Sequence, residues 1–328
     1  MWANTPPRVR IPLFPPEKAL LLKCFFVSRK ELIFMKNQKL KGCAAALLAN
    51  IIFGFSFLFS KVSLSYAEPL TIAAVRFTLA FAVLSILWAF GAIKMNFKGK
   101  KKKKIILMAL AQPLFYFVFE LYGIANTSSA ISGVIISLVP VAVIVLSTLF
   151  LKERPTIRQV LFSALSLASV IFISILSNDN KLSTPLGIAF LSGAVLSAAV
   201  FNILSRSEAA TYSPTERTYI MFLIGAAGFN AIAFCVHGTS FFTSAVSALA
   251  QPLFLISVIY LSIVSSIAAF LLYNYATSLI TSVQAASFSN IITVVSVLAG
   301  IFIMGESLSP VQIICSLLII IGVLGVNK

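Results

Sequence analysis

Charge is scarce in this chain. Of its 328 residues only 10% are charged, where a soluble domain carries roughly 25%. Such a chain cannot cover its surface with polar groups, so an ordinary water-soluble globule is excluded. Acidic side chains number nine and histidine one, His237, which leaves little material for His-based catalysis. The four cysteines, Cys24, Cys43, Cys235 and Cys315, are scattered without the paired spacing of a metal site or a disulfide framework. No Walker motif and no Ser/His/Asp set is present, so neither ATP hydrolysis nor an enzyme activity is expected, and no cofactor or metal is called for. The formal charge of +16 might suggest nucleic acid, but the basic residues do not alternate with aromatic platforms, and nucleic-acid binding is not expected.

What the chain has in abundance is apolar residues, 59% of the total. No charge occurs in 121–151, 159–178, 182–205 or 307–327, and between 218 and 305 only His237 could become charged. A bilayer core about 30 Å thick takes roughly 20 apolar residues per helix, so each gap holds at least one crossing. The pattern predicts an all-α polytopic membrane protein with ten spans near 42–60, 70–91, 105–125, 130–150, 157–176, 185–205, 217–236, 252–272, 282–303 and 309–326. Turn-forming residues separate them, among them Ala67-Glu68-Pro69, Asn126 to Ser129, Ser177 to Asn180, Ser213-Pro214 and Gly305-Glu306-Ser307. One longer connection, His237 to Gln251, contains Phe241-Phe242 and reads as a segment lying in the membrane interface. His237 itself reads as solvated.

Lys and Arg give the orientation, because basic loops stay cytoplasmic. With the N-terminus inside, the tail holds nine, the 92–104 loop seven, the 151–158 loop three, the 206–217 loop two and the C-terminus one, against only Lys61 and Lys181 outside. Both termini are therefore expected in the cytoplasm of a plasma-membrane protein. The Lys100 to Lys104 run reads as a topology anchor, with anionic-lipid binding as its alternative. Residues 1–41 read as a cytoplasmic tail. No small-residue cleavage site follows the short apolar stretch before Met35, which argues against a cleaved signal peptide. Met35-Lys36-Asn37 looks like a natural start, so 1–34 is expected to be a disordered tail or a mis-assigned start.

The chain repeats itself. A shift of 153 residues brings Ser132–Gln159 onto Ala285–Gln312, Glu153 onto Glu306 and Tyr122 onto Tyr275, and a shift of 145 brings Gly42, Lys61 and Pro69 onto Gly187, Arg206 and Pro214. Two five-helix repeats follow, 42–176 and 185–326. Five is odd, so the second copy enters the membrane from the opposite side and the repeat is inverted, as in secondary transporters, where two antiparallel halves expose one midplane site to each side in turn.

The run from Ser132 to Pro140, its continuation Leu151-Lys152-Glu153-Arg154-Pro155, and its echo from Ala285 through Gly305-Glu306-Ser307-Leu308 resemble the EamA-type members of the drug/metabolite transporter superfamily. Arg76-Phe77, Phe119-Glu120-Leu121-Tyr122-Gly123 and Thr127-Ser128 fit the same pattern, and the resemblance extends over about 42–326. It implies a ten-helix carrier of 5+5 inverted topology that exports amino acids or other metabolites, and it is specific for fold rather than cargo.

Polar groups inside the spans are the candidate site. Arg76 and Glu120 each lie roughly 8 to 10 Å below the external surface at about 1.5 Å per residue. A charge near the centre of a span costs about 2.5 to 3.5 kcal/mol, which makes two uncompensated charges expensive. The expectation is a partial ion pair facing a central cavity, with proton coupling through Glu120; the alternatives are an Arg76 that snorkels to headgroups and a Glu120 with a structural partner. Gln112, Tyr116 and Glu120 recur at i, i+4 and i+8 on one helix face. The repeat maps Glu120 to Tyr273, beside Asn274. Asn50, Asn202 and Asn290 add amides near mid-depth, as cavity lining or as interhelical glue. Pro113 and Pro140 are expected kinks. Glu153 and Glu306 are expected to orient turns or cap the next helix, and Gly322 and its neighbours are close-packing positions that suit a homodimer. The reading is a secondary carrier for a small polar or amphipathic solute, working by alternating access, outward and with proton coupling. An intramembrane enzyme acting on lipid-linked substrates, or a channel or scaffold, is the alternative.

Overall fold

The computed structural model describes residues 29–127, 129–175, 184–295, 298 and 310–328. The chain divides into two units, 1–40 and 41–328, and the second is the subject here apart from the start of the first helix. Among the described residues every regular element is a helix. Eight helices are long and apolar enough to cross a membrane. They are α1 (Arg29–Ser63), α2 (Pro69–Ala89), α3 (Lys103–Ala125), the stretch Val134–Leu151 that contains the end of α4 (Ser129–Ile136) and all of α5 (Val139–Leu146), α7 (Pro185–Glu208), α8 (Pro214–His237), α10 (Pro252–Leu279) and α12 (Pro310–Asn327). At the fifth and ninth expected positions stand shorter apolar helices, α6 (Ile157–Ile175) and α11 (Ser282–Val295). The end of the ninth expected span and Glu306 lie outside the described residues, as do residues 1–28.

The helix starts follow from local chemistry. Pro69, Pro185, Pro214 and Pro252 each open a helix, where the missing N–H costs nothing and φ is preset. Ser213 and Glu216 form a reciprocal capping box, Thr281 and Gln284 form another, and Thr184 caps Gly187. The box at Ser213 starts α8 three residues before the expected 217, which draws Arg217 into the helix. In α1 no Gly or Pro stands between Arg29 and Gly42, and the described residues are already helical from Arg29, upstream of the expected 42. Pro140 does not kink a continuous span: it sits in the first turn of α5, and the fourth crossing is built from two helices. The long connection after α8 forms α9 (Ser240–Leu249), with Phe241 buried and Phe242 exposed.

Glycines set the closest approaches. A Cβ on Gly322 would stand 2.8 Å from Phe162 O and from Ser166 Cβ, and one on Gly325 would stand 2.2 Å from the Phe162 ring. The glycines of α12 are thus packed against α6 of the same chain. On the other side of the molecule Phe77 of α2 stacks on Phe229 of α8 at 5.3 Å, within an apolar core that includes Phe201, Phe222 and Phe270.

Candidate functional site

Among the described residues, irregular helical backbone lies at matched places in the two halves. In α3 the helix is broken at Gln112, whose φ of −145° and ψ of 124° are extended, immediately before Pro113. In α10 the turn from Tyr260 to Ala268 is widened to π-helical bonding. The 153-residue shift places Gln112 on Ser265 and Pro113 on Ser266. Interrupted helices free backbone and side-chain polar groups at membrane depth, a feature of transporters where such groups face a binding site. The break in α3 is backed by Gly225 of α8, where a Cβ would meet Pro113 Cγ at 2.8 Å.

Arg76 spans between these two places. It is 7% exposed. Its Nε donates to Ser266 Oγ at 2.8 Å and its Nη2 to Ser265 Oγ at 3.1 Å. The guanidinium carbon stands 5.3 Å from the Phe77 ring centre and 5.4 Å from that of Phe117, within cation–π range. Hydroxyls and aromatic faces therefore carry the charge, and Arg76 does not snorkel. Glu120 is half-buried and accepts a 2.8 Å hydrogen bond on Oε1 from the Tyr116 hydroxyl, one turn back on α3. Arg76 and Glu120 make no direct contact among the described residues, where the serines and Tyr116 hold the two side chains, but their opposite charges still act on each other at longer range. Nη1 of Arg76 and Oε2 of Glu120 have no hydrogen-bond partner among the described residues. Gln112 lies one turn before Tyr116 and is partly exposed.

The remaining expected site residues separate into small pairs. Tyr273 donates to Asn202 Oδ1 at 2.6 Å, and the Asn202 amide donates to Ala198 O in its own helix. Asn290 donates to Ser166 Oγ at 2.8 Å, joining α11 to α6. Asn50 is buried and turns its amide back to Ala46 O at 2.7 Å. Of the set, then, the structure pairs Tyr116 with Glu120 and Asn202 with Tyr273, while Asn50 and Asn290 bind elsewhere. His237 is not merely solvated: its Nε2 stands 3.4 Å from Glu68 Oε2, at a cleft of about 510 Å³ also lined by Thr71 and the hydroxyl residues of α9.

Three further polar residues at or near these helices are not marked as such by the sequence. Ser265 and Ser266 look like any small residues in an apolar span, and only the repeat alignment with Gln112-Pro113 could have flagged them. Arg217 was counted with a loop, yet it is wholly buried at the first turn of α8. Its Nη1 donates to Ser205 O at 2.6 Å and to Thr277 Oγ1 at 3.0 Å, and its Nη2 to Asn274 O and Ser278 Oγ. Arg217 thereby satisfies carbonyls near the end of α10, where the helix dipole favours a cation. The Ser213 capping box, readable from Ser-Pro-Thr-Glu, was the available signal that the helix starts early.

The all-helical membrane fold, its broken helices and the ionic groups buried at those breaks define a membrane transporter rather than a soluble binding protein. The sequence model of the EamA-like transporter family matches residues 40–175 and again 185–328, so the chain belongs to that family and carries two copies of its unit. The uncharacterized transporter YcxC of Bacillus subtilis is 35% identical over 299 residues, covering 89% of this chain and 95% of the relative. An uncharacterized transporter of Archaeoglobus fulgidus is 27% identical over 277 residues, covering 84% of this chain and 95% of its own. A solved crystal structure shares the fold with a TM-score of 0.67 at 16% identity, over 87% of this chain and 95% of that chain. The protein is an integral, multi-pass membrane protein.

Proposed function

We propose that the protein is a secondary carrier that exports a small polar or amphipathic metabolite, an amino acid or a drug-like solute, by alternating access coupled to protons. In this reading the repeats 42–176 and 185–326 are inverted with respect to each other, and the 1–41 tail and the C-terminus lie on the cytoplasmic side of the plasma membrane. The observation that carries it is the unmatched pair at the broken helices. Arg76 keeps Nη1 and Glu120 keeps Oε2 open, although neither meets the other. A buried cation and a half-buried carboxylate held apart attract a solute that brings a carboxylate or a hydrogen-bond acceptor to one and an amine or a donor to the other. Phe117, half-buried against the Arg76 guanidinium, supplies apolar surface beside it, which suits an amphipathic solute.

Proton coupling follows if Glu120 exchanges its proton as the halves rock and its surroundings change. The backbone breaks in α3 and α10 supply the bending points for that motion.

The test is counterflow into proteoliposomes containing the full chain, with a panel of radiolabelled amino acids and other metabolites. Saturable accumulation of at least one labelled solute against its unlabelled form is the expected result. Flux that rises linearly with concentration and shows no counterflow would overturn the carrier reading in favour of a channel.

A further inference from the structure

Glu153 belongs to the first repeat, in the turn after α5, and its carboxylate reaches into the second. Lys152 takes a left-handed conformation with φ of 56° and ends the Ser147–Leu151 turn, which turns the chain back. From there Glu153 Oε1 accepts from Arg206 Nε at 3.3 Å, at the end of α7, and Oε2 accepts from the backbone N–H of Ser282 at 3.1 Å, at the start of α11. Arg206 in turn donates from Nη1 to Thr277 O and Ser278 O at the end of α10. One side chain of the first repeat thus holds three helices of the second together on a single face. Just inside this contact lies a dry cluster in which Val139 and Val143 of the first repeat meet Val195, Ala199, Ile203 and Ala286 of the second.

We infer that Glu153 is the latch that keeps this face closed: its two bonds break when the repeats rock apart and open the site toward the cytoplasm. The inference rests on the carrier reading above. Three features fit a contact made and broken in each cycle. It crosses between the repeats, whereas the Thr281–Gln284 box that caps the same helix start lies wholly within one. Glu153 and Arg206 are 21% and 30% exposed, so water replaces their partners when they separate, and such pairs are weak enough to be reversible. Of the groups left behind, the arginine is already bonded to a helix end and partly exposed, so it is readily hydrated, while the N–H of the buried Ser282 reaches water only as the face opens. Glu153 here is a positioning residue and touches no solute.

The experiment uses the full chain with its four cysteines replaced by serine and a single reporter, Ala286→Cys, which is wholly buried in the cluster beneath the latch. Ala199→Cys, equally buried, is the second reporter. Labelling by a membrane-impermeant maleimide is timed from the cytoplasmic face in sealed vesicles. Glu153→Ala and Arg206→Ala should each speed labelling about fivefold or more, the double variant should add nothing further, and Thr281→Ala should leave the rate unchanged. Glu153→Gln, which keeps the size of the side chain, should also speed labelling and serves if the alanine variant does not fold. Equal rates in the parent and the Glu153 variants, or an equal acceleration by Thr281→Ala, would overturn the latch. Because labelling needs no solute, loss of counterflow in the parent with the expected labelling pattern would remove the carrier reading and leave the latch standing.

Discussion

Ser266 of α10 accepts a 2.8 Å hydrogen bond from Nε of Arg76 in α2, across 190 residues of sequence and between the two repeats. The bond ends on the widened turn that matches the break in α3, so the buried cation is tied to the irregular backbone of the opposite half. This arrangement keeps the guanidinium desolvated, oriented and only partly used.

Arg76→Gln should keep the fold and lose transport. The substitution removes a charge whose insertion costs about 2.5 to 3.5 kcal/mol, so the thermal midpoint should hold or rise. A charge-assisted hydrogen bond to solute is worth about 1.5 to 3 kcal/mol, so counterflow should weaken by about 10- to 100-fold. Thermal unfolding and counterflow on the same preparation check both halves.

Glu120→Gln should uncouple transport from the proton gradient while exchange of solute persists. Glutamine keeps an acceptor for the 2.8 Å bond from Tyr116, so the local geometry survives. Uptake driven by an imposed pH gradient, compared with counterflow at equal pH, reads the difference. Unchanged gradient dependence would reject a role for Glu120 in coupling.

Arg217→Ala should destabilise the protein by on the order of 3 kcal/mol, because buried hydroxyls and carbonyls lose their only cationic donor. Arg217→Lys should recover little, since one ammonium cannot reach acceptors on both α7 and α10. The measurement is the unfolding midpoint in detergent.

Gly325→Leu should prevent the close seating of α12 on α6, with a cost of about 1–3 kcal/mol or more. A Cβ there would stand 2.2 Å from the Phe162 ring. Adding Phe162→Ala should restore part of the yield of monodisperse protein on size exclusion.

Cysteines placed at 153 and 306 should label from opposite faces of the membrane. Labelling of both from one face would mean that the repeats are parallel.

Much of the architecture is legible in the sequence because lipid imposes a single rule, apolar residues over a fixed length, and charge-free gaps obey it. The helix starts at Pro185 and Pro252 coincide with the expected 185 and 252. Where the edges moved, capping chemistry outweighed hydropathy, as at Ser213-Pro214. The candidate site was harder to read. Arg76, Tyr116 and Glu120 announce themselves because a charge or a polar stripe in lipid is costly. Their partners do not: a serine is as common in helix packing as in ion solvation, so nothing in Ser265-Ser266 marks an arginine's acceptors. The amides Asn50 and Asn290 left two readings open, cavity lining and glue within or between helices, and in the structure each has a local or interhelical acceptor.

Arg217 and Arg206 together pin the final turn of α10 to its neighbours, whereas the hydroxyls of Ser265 and Ser266, midway along the same helix, are crosslinked to α2 by one guanidinium. In the proposed carrier, a solute that draws Arg76 away from the serines would free that crosslink, so torque delivered to one segment would be taken up in the loosened coil instead of being passed along a rigid rod.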